Sequence, residues 1–172
     1  MKFLSAAAPE QWKHEASKSF PTATGQGANG SAGVVDEVSN IDGAITYVEA
    51  GFAKDKDLGI AKMDFGHGPV ELNNDTVGKA LDSVTFKTEG HDMVVDTDAL
   101  FAMDENGAYP LILTTYEIVC SAGYDEETRD LVKSFLKVVL EEGQGPELEE
   151  RGYIPVQGEF KDKLSAAVDA IK

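Results

Sequence analysis

Basic charge is scarce in this chain. Its 172 residues hold 15 lysines and arginines against 31 aspartates and glutamates, a formal charge of −16. Only two arginines occur, Arg129 and Arg151. Nucleic-acid binding rests on neutralising phosphates with basic side chains, so this deficit argues against such a partner. It argues equally against adhesion to an anionic membrane face. A small anion is still allowed, because free backbone N–H groups at a helix start bind anions without net positive charge. Cysteine is almost absent. A single residue, Cys120, makes neither an internal disulfide nor a thiolate metal cluster. Its expected role is that of a small buried hydrophobe. Long apolar runs are missing too, and nothing approaches the ~18 residues of a membrane span. The start, Met1 to Ala8, has one charge, a few apolar residues and then small ones. Its apolar stretch falls short of the ~7–15 residues an export signal needs, so a short helix is expected and no export signal. Internal repeats and low-complexity tracts are absent.

What is present is an alternation of strand-like and helix-like segments. Residues 1–20 read as a helix end followed by an irregular stretch containing Trp12, and residues 21–33 as a flexible glycine-rich loop. Val34, Val35 and Val38 form one apolar stripe of a short helix, with Ser31 as its expected N-cap. Asp42-Gly43 is a turn signal, and Ala44 to Val48 is rich in β-branched and aromatic residues, which predicts a strand. A brief helix near 50–56 and a strand near 58–64 follow, and Gly66-His67-Gly68-Pro69 breaks the chain. Asn74 or Asp75 is placed to cap a helix whose inward face is Val77, Leu81 and Val84. Met93 to Val95 reads as a short strand, Asn106-Gly107 as a turn, and Leu111 to Cys120 as a largely buried strand. In the last third, Asp125 caps a helix with Glu126 and Glu127 in its first turn, where the dipole favours acid. Leu131, Phe135 and Val139, with Val132, Leu136 and Leu140, give that helix a broad apolar stripe that must face a core. Gly143 is a suitable stop. A final helix carries Phe160, Leu164, Val168 and Ile171 on one face. The alternation predicts an α/β fold.

The chemical motifs are weak. Gly25-Gln26-Gly27-Ala28-Asn29-Gly30 matches GxGxxG, but a dinucleotide site needs a strand running into the loop, and Ser19 to Thr24 make a poor one. No Lys-Ser/Thr follows, so it is no Walker loop. The plain reading is a surface loop; an intermediate reading is a helix N-terminus facing an anion. Asn29-Gly30-Ser31-Ala32-Gly33 misses the nucleophile elbow, because asparagine stands where glycine is required. His14, His67 and His91 are scattered and read as ordinary surface histidines. Asp55-Lys56-Asp57 begins like a calcium loop, but its glycine, Gly59, falls one early and Gly66 stands where the bidentate acid belongs. Glu141, Glu142, Glu147, Glu149 and Glu150 read as a solvated face. No nucleophile is paired with a base, and no cofactor or metal is implied.

Longer segments carry more. Tyr109-Pro110-Leu111-Ile112-Leu113-Thr114-Thr115-Tyr116-Glu117-Ile118-Val119-Cys120-Ser121 leads into Val132-Lys133-Ser134-Phe135-Leu136 and then Gly152-Tyr153-Ile154-Pro155-Val156. Upstream stand Gly30-Ser31-Ala32-Gly33-Val34, Gly43-Ala44-Ile45-Thr46-Tyr47-Val48-Glu49 and Phe52-Ala53. In this order the segments resemble the phosphate-binding proteins of bacterial phosphate ABC importers, nearest the actinobacterial type, and they span nearly the whole chain. Gln157 after Val156 is a minor departure from the family's GYxPxP pattern.

The resemblance implies a periplasmic-binding-protein-like (type II) two-lobed fold, here incomplete. Residues 1–112 would belong to the second lobe and 113–172 would complete the first, with the crossover near Leu113-Thr114. It also implies an extracytoplasmic protein with inorganic phosphate and an ABC permease as partners. The family draws its phosphate ligands from an early loop with a helix N-terminus, from a serine and an aspartate of the first lobe, and from an arginine with an SGT-type turn. That turn lies just before a helix resembling Lys2-Phe3-Leu4. No position here matches any of these, neither Arg129 nor Arg151, so the phosphate ligands are expected upstream of Met1. The alternatives are a scaffold-only interaction or vestigial protein, and a nucleotide-binding enzyme using the 25–30 loop.

Overall fold

A computed structural model describes residues 1–17, 20–21 and 25–172. Positions 22–24 of the glycine-rich loop, and Lys18 and Ser19 before it, lie outside the described residues. Within them are eight α-helices and one two-stranded ribbon. The helices are α1 (Lys2–Ala7), α2 (Gly30–Ser39), α3 (Ala50–Asp55), α4 (Asn74–Asp82), α5 (Thr97–Phe101), α6 (Glu126–Glu141), α7 (Pro146–Glu150) and α8 (Gly158–Asp169). Strands β1 (Met63–Asp64) and β2 (Pro69–Val70) pair antiparallel across the Gly66–Gly68 turn.

The main core forms around α4. Val77, Ala80 and Leu81 of this helix pack with Val70, Val84, Val95, Leu100, Tyr109 and Phe160. Phe160 lies on α8, far along the chain, and stacks on Phe86 with centroids 5.9 Å apart. Helix α8 also packs against α6, where Leu136, Val168 and Ile171 form a second, smaller cluster. It therefore joins α4 and α6. Helix α1 lies on α5, and Phe3 meets Phe65 and Phe101 edge-on. Gln144 fastens the α6 end to the segment before α8: its side chain donates to the Val139 carbonyl at 2.7 Å and accepts from Val156 N–H at 2.8 Å.

Local chemistry sets the helix starts. Asp125 caps α6 as expected, accepting from the Thr128 N–H at 2.9 Å and the Thr128 hydroxyl at 2.8 Å. Two other caps differ from expectation. Helix α4 is capped by Asn73, not Asn74 or Asp75, because Asn73 and Thr76 bond each other's backbone N–H reciprocally. At α2 the N-cap position is Asn29, not Ser31, and its side chain makes no capping hydrogen bond. Gly30 has φ +68 and turns the chain into the helix early, leaving Ser31 inside the first turn. The α5 turn was not foreseen. It is five residues long, too short to show a period, and only the Asp96 side chain bonding Asp98 and Ala99 N–H signals it.

The expected strands differ most. Residues 44–48 and 111–120 join no sheet among the described residues, and the 93–95 strand is reduced to one bridge, Phe86 to Val95. Of the strand near 58–64 only Met63–Asp64 pairs. The side chains of these segments suit a sheet, but among the described residues no neighbouring strand pairs with them. Ile45 and Tyr47 stand 87% and 69% exposed, and Leu113 and Ile118 85% and 93%. Cys120, expected to be buried, is exposed for the same reason.

Candidate functional site

The molecule offers two candidate places: the α2 N-terminus behind the glycine-rich loop, and an apolar groove beside α1. At the first, Gly25 and Gly30 both have positive φ, at +86 and +68, so the loop turns sharply into α2. No strand runs into it among the described residues, which removes the support a dinucleotide fingerprint needs. The Ser31 hydroxyl in the first turn donates to Glu49 Oε2 at 2.6 Å. That bond holds the Glu49 carboxyl below its ordinary value. A carboxylate thus already stands at the helix start, where the dipole attracts negative charge, and it repels an incoming anion. Ser31 is neither set on an elbow nor bonded to a histidine.

The groove, about 480 Å³, lies between α1, α5 and the segment after Pro110. Phe3, Leu100, Phe101, Leu111, Leu113 and Tyr116 line it. Lys2, which also lines it, is tied to Asp98 at 3.2 Å, with Thr97 Oγ1 at 3.5 Å. The lining is therefore mainly apolar, and its lysine is already paired with a carboxylate.

The remaining sequence candidates are dispersed. His14 lies beside the Trp12 ring, with centroids 5.0 Å apart, while His67 Nε2 meets Asp104 Oδ1. His91 is exposed. Lys56 pairs with Asp36 at 2.8 Å, and Asp57 turns the chain out of α3 with φ +52. Gly66 donates its N–H to Asp64 Oδ1 at 2.8 Å in the turn between β1 and β2. Among the described residues no three His, Cys, Asp or Glu side chains converge as metal ligands. Arg129 is held by Asp130 at 2.8 Å and Glu126 at 3.8 Å, and Arg151 follows α7. The two arginines share no site.

One negative observation matters most for phosphate. Among the described residues no charged or polar residue is buried. Taking phosphate out of water requires several converging donors, and the cost without them runs to at least several kcal/mol.

The family motifs fall on recognisable structural joints. Gly152, which opens Gly152-Tyr153-Ile154-Pro155-Val156, has φ +83 and lies against Gly51 at the start of α3. A Cβ on Gly152 would sit 2.3 Å from the Gly51 nitrogen, so two backbones meet here with no room for a side chain. Ile154 and Val156 pack on the α4 core.

A sequence model of the PBP superfamily domain matches residues 5–142. The chain belongs to that superfamily. Its similarity runs further than the domain. "Phosphate-binding protein PstS3" of Mycobacterium bovis is 40% identical over 99% of this chain, and "Phosphate-binding protein PstS 2" of Mycobacterium tuberculosis is 37% identical over the same share. An archaeal "Phosphate-binding protein PstS", from Methanocaldococcus jannaschii, is 27% identical over 86% of it. The chain spans less than half the length of these PBP relatives: 46% of each mycobacterial protein and 40% of the archaeal one. The family resemblance read from the sequence is borne out. Among the described residues no helix of this PBP superfamily member is long and apolar enough to cross a membrane.

Proposed function

We propose that this chain is the C-terminal scaffold portion of a solute receptor that binds inorganic phosphate outside the cytoplasm and delivers it to an ABC permease. Residues 1–112 belong to one lobe and 113–172 to the other, with the crossover at Leu113-Thr114. The phosphate ligands come from the rest of the receptor. The observation that carries this reading is the match to phosphate-binding proteins over 99% of the chain, joined to the lack of any buried polar or charged residue among those described. Phosphate held between lobes needs donors from both sides, and a scaffold without donors binds only when they are supplied.

Isothermal titration calorimetry with inorganic phosphate tests it. The chain alone should give no binding heat. Mixed with the remaining portion of a mycobacterial PstS-type protein, it should assemble and then bind phosphate. Tight binding by the chain alone defeats the assignment of the ligands elsewhere. An assembled pair that ignores phosphate defeats the receptor reading itself.

A further inference from the structure

Five asparagines occur in the chain, and two of them, Asn29 and Asn106, stand directly before a glycine. An asparagine in that position can react with its own backbone. The glycine nitrogen attacks the asparagine Cγ, a C–N bond forms, the Cγ–Nδ2 bond breaks and ammonia leaves. Water then opens the five-membered imide at either carbonyl, giving aspartate or isoaspartate. Glycine favours the attack because it has no Cβ to obstruct it and leaves the backbone free to turn. Both pairs have this chemistry, and the fold separates them. We propose that Asn29 is a site of spontaneous deamidation in the folded chain, whereas Asn106 is protected by its setting.

Asn29 is exposed at the N-cap position of α2, and its side chain makes no capping hydrogen bond, so the amide is uncommitted. Gly30 is exposed as well. Its N–H opens the helix and has no intrahelical acceptor, and no other described group accepts from it. A Cβ placed on Gly30 would meet nothing within 4 Å, so the space beside the reacting nitrogen is open. Ring closure requires Asn29 to rotate away from its extended ψ of 108. That rotation displaces the exposed residues Gly25 to Gly27 and at most the first turn of α2, and fraying of this kind costs little. Asn106-Gly107 is the same pair in a closed setting. Ala108 N–H donates to the Glu105 carbonyl at 3.2 Å across it, and Tyr109 N–H donates to the Thr76 carbonyl of α4 at 2.8 Å. Ala108, Tyr109 and Pro110 are buried, and Lys79 Nζ lies 3.0 Å from where a Cβ on Gly107 would stand. Rotation at Asn106 must break that turn and pull on residues seated in the α4 core. Reaction at Asn29 adds one negative charge two residues from Ser31, which holds the Glu49 carboxylate. The isoaspartate product also lengthens the main chain by a methylene where it enters the helix.

Incubation of the whole chain at mildly alkaline pH, followed by digestion and peptide mass spectrometry, tests this. The Asn29 peptide should exchange NH for O in mass and split into two chromatographic species, one of them a substrate for isoaspartyl methylation. It should react at least about tenfold faster than the Asn106 peptide, the factor that a difference of ~1.4 kcal/mol in local opening gives. In denaturing urea, where neither pair is held, the two rates should converge. Asn29→Gln should abolish the fast reaction and leave the Asn106 rate and the helical circular dichroism unchanged. Comparable or faster reaction at Asn106 in the folded chain overturns the proposal. So does an Asn29 that stays intact in the folded chain and reacts only in urea. An Asn29 product that is aspartate alone overturns it as well, because direct hydrolysis gives that product and attack by Gly30 gives both.

Discussion

Leu136 and Leu131 offer a controlled comparison. They lie on the same helix, α6, and truncation to alanine costs each nearly the same in helix propensity, a few tenths of a kcal/mol at most and of favourable sign. Their burial is opposite. Leu136 is 8% exposed and packs with Val168 of α8 and with Ile171 just after it, whereas Leu131 is 72% exposed. Leu136→Ala removes buried methyl groups and leaves a gap between α6 and α8, a loss of about 2–5 kcal/mol. Leu131→Ala removes a side chain already in water, and its effect should stay within about 0.5 kcal/mol. Urea denaturation followed by circular dichroism, at a dilution where the chain is monomeric, measures both. The two variants should differ by at least ~1.5 kcal/mol. Equal losses would refute the reasoning, because they would mean that the outer stripe of α6 is covered in the isolated chain. The same pair then reports on assembly. If the proposed assembly with the remaining portion of a PstS-type protein forms and covers Leu131, its truncation should begin to cost stability.

Three further outcomes follow from the geometry. Gly152→Ala should destabilise by about 2 kcal/mol or more, from the positive φ and from a Cβ driven into the Gly51 backbone, and thermal unfolding reads this directly. Asn73→Ala removes the α4 cap and one half of its reciprocal bond with Thr76; about 1 kcal/mol should be lost in urea denaturation, and Asn73→Asp should retain most of it. Asp125 has its carboxyl held below the ordinary aspartate value, first by the Thr128 N–H and then by the Thr128 hydroxyl. A depressed folded value means that its contribution is fully present above the ordinary aspartate range and is lost as pH falls through the lower folded value. Helicity measured from neutral pH down to acid should therefore fall less steeply in Asp125→Asn than in the parent, and identical profiles would remove Asp125 from the acid response.

Helices were legible where a periodic stripe and a cap coincided. Asp125 with Val132, Leu136 and Leu140 specified α6, and Phe160, Leu164 and Val168 specified α8, since both signals act within one or two turns. Cap positions slipped at α2 and α4 because backbone conformation at Gly30 and the Asn73–Thr76 bonds chose among neighbouring polar residues. At the candidate site, residue types alone give the expectation that no family ligand set is matched. Ser31 is different: the Glu49 carboxylate at the α2 start lies 18 residues away in sequence, and only folding brings the two together.

By itself, the sequence determined most of the helical segments, the short α5 and α7 excepted, the strand character of 44–48 and 111–120, the acidic balance and the family. Tertiary structure alone decided whether strand character becomes a strand. A helix closes its hydrogen bonds within its own segment, whereas a strand closes them only on a neighbour, so α6 forms from local information and residues 111–120 remain unpaired. The same dependence on neighbours sorts the α6 stripe into a buried Leu136 and an exposed Leu131, and leaves Cys120 at the surface.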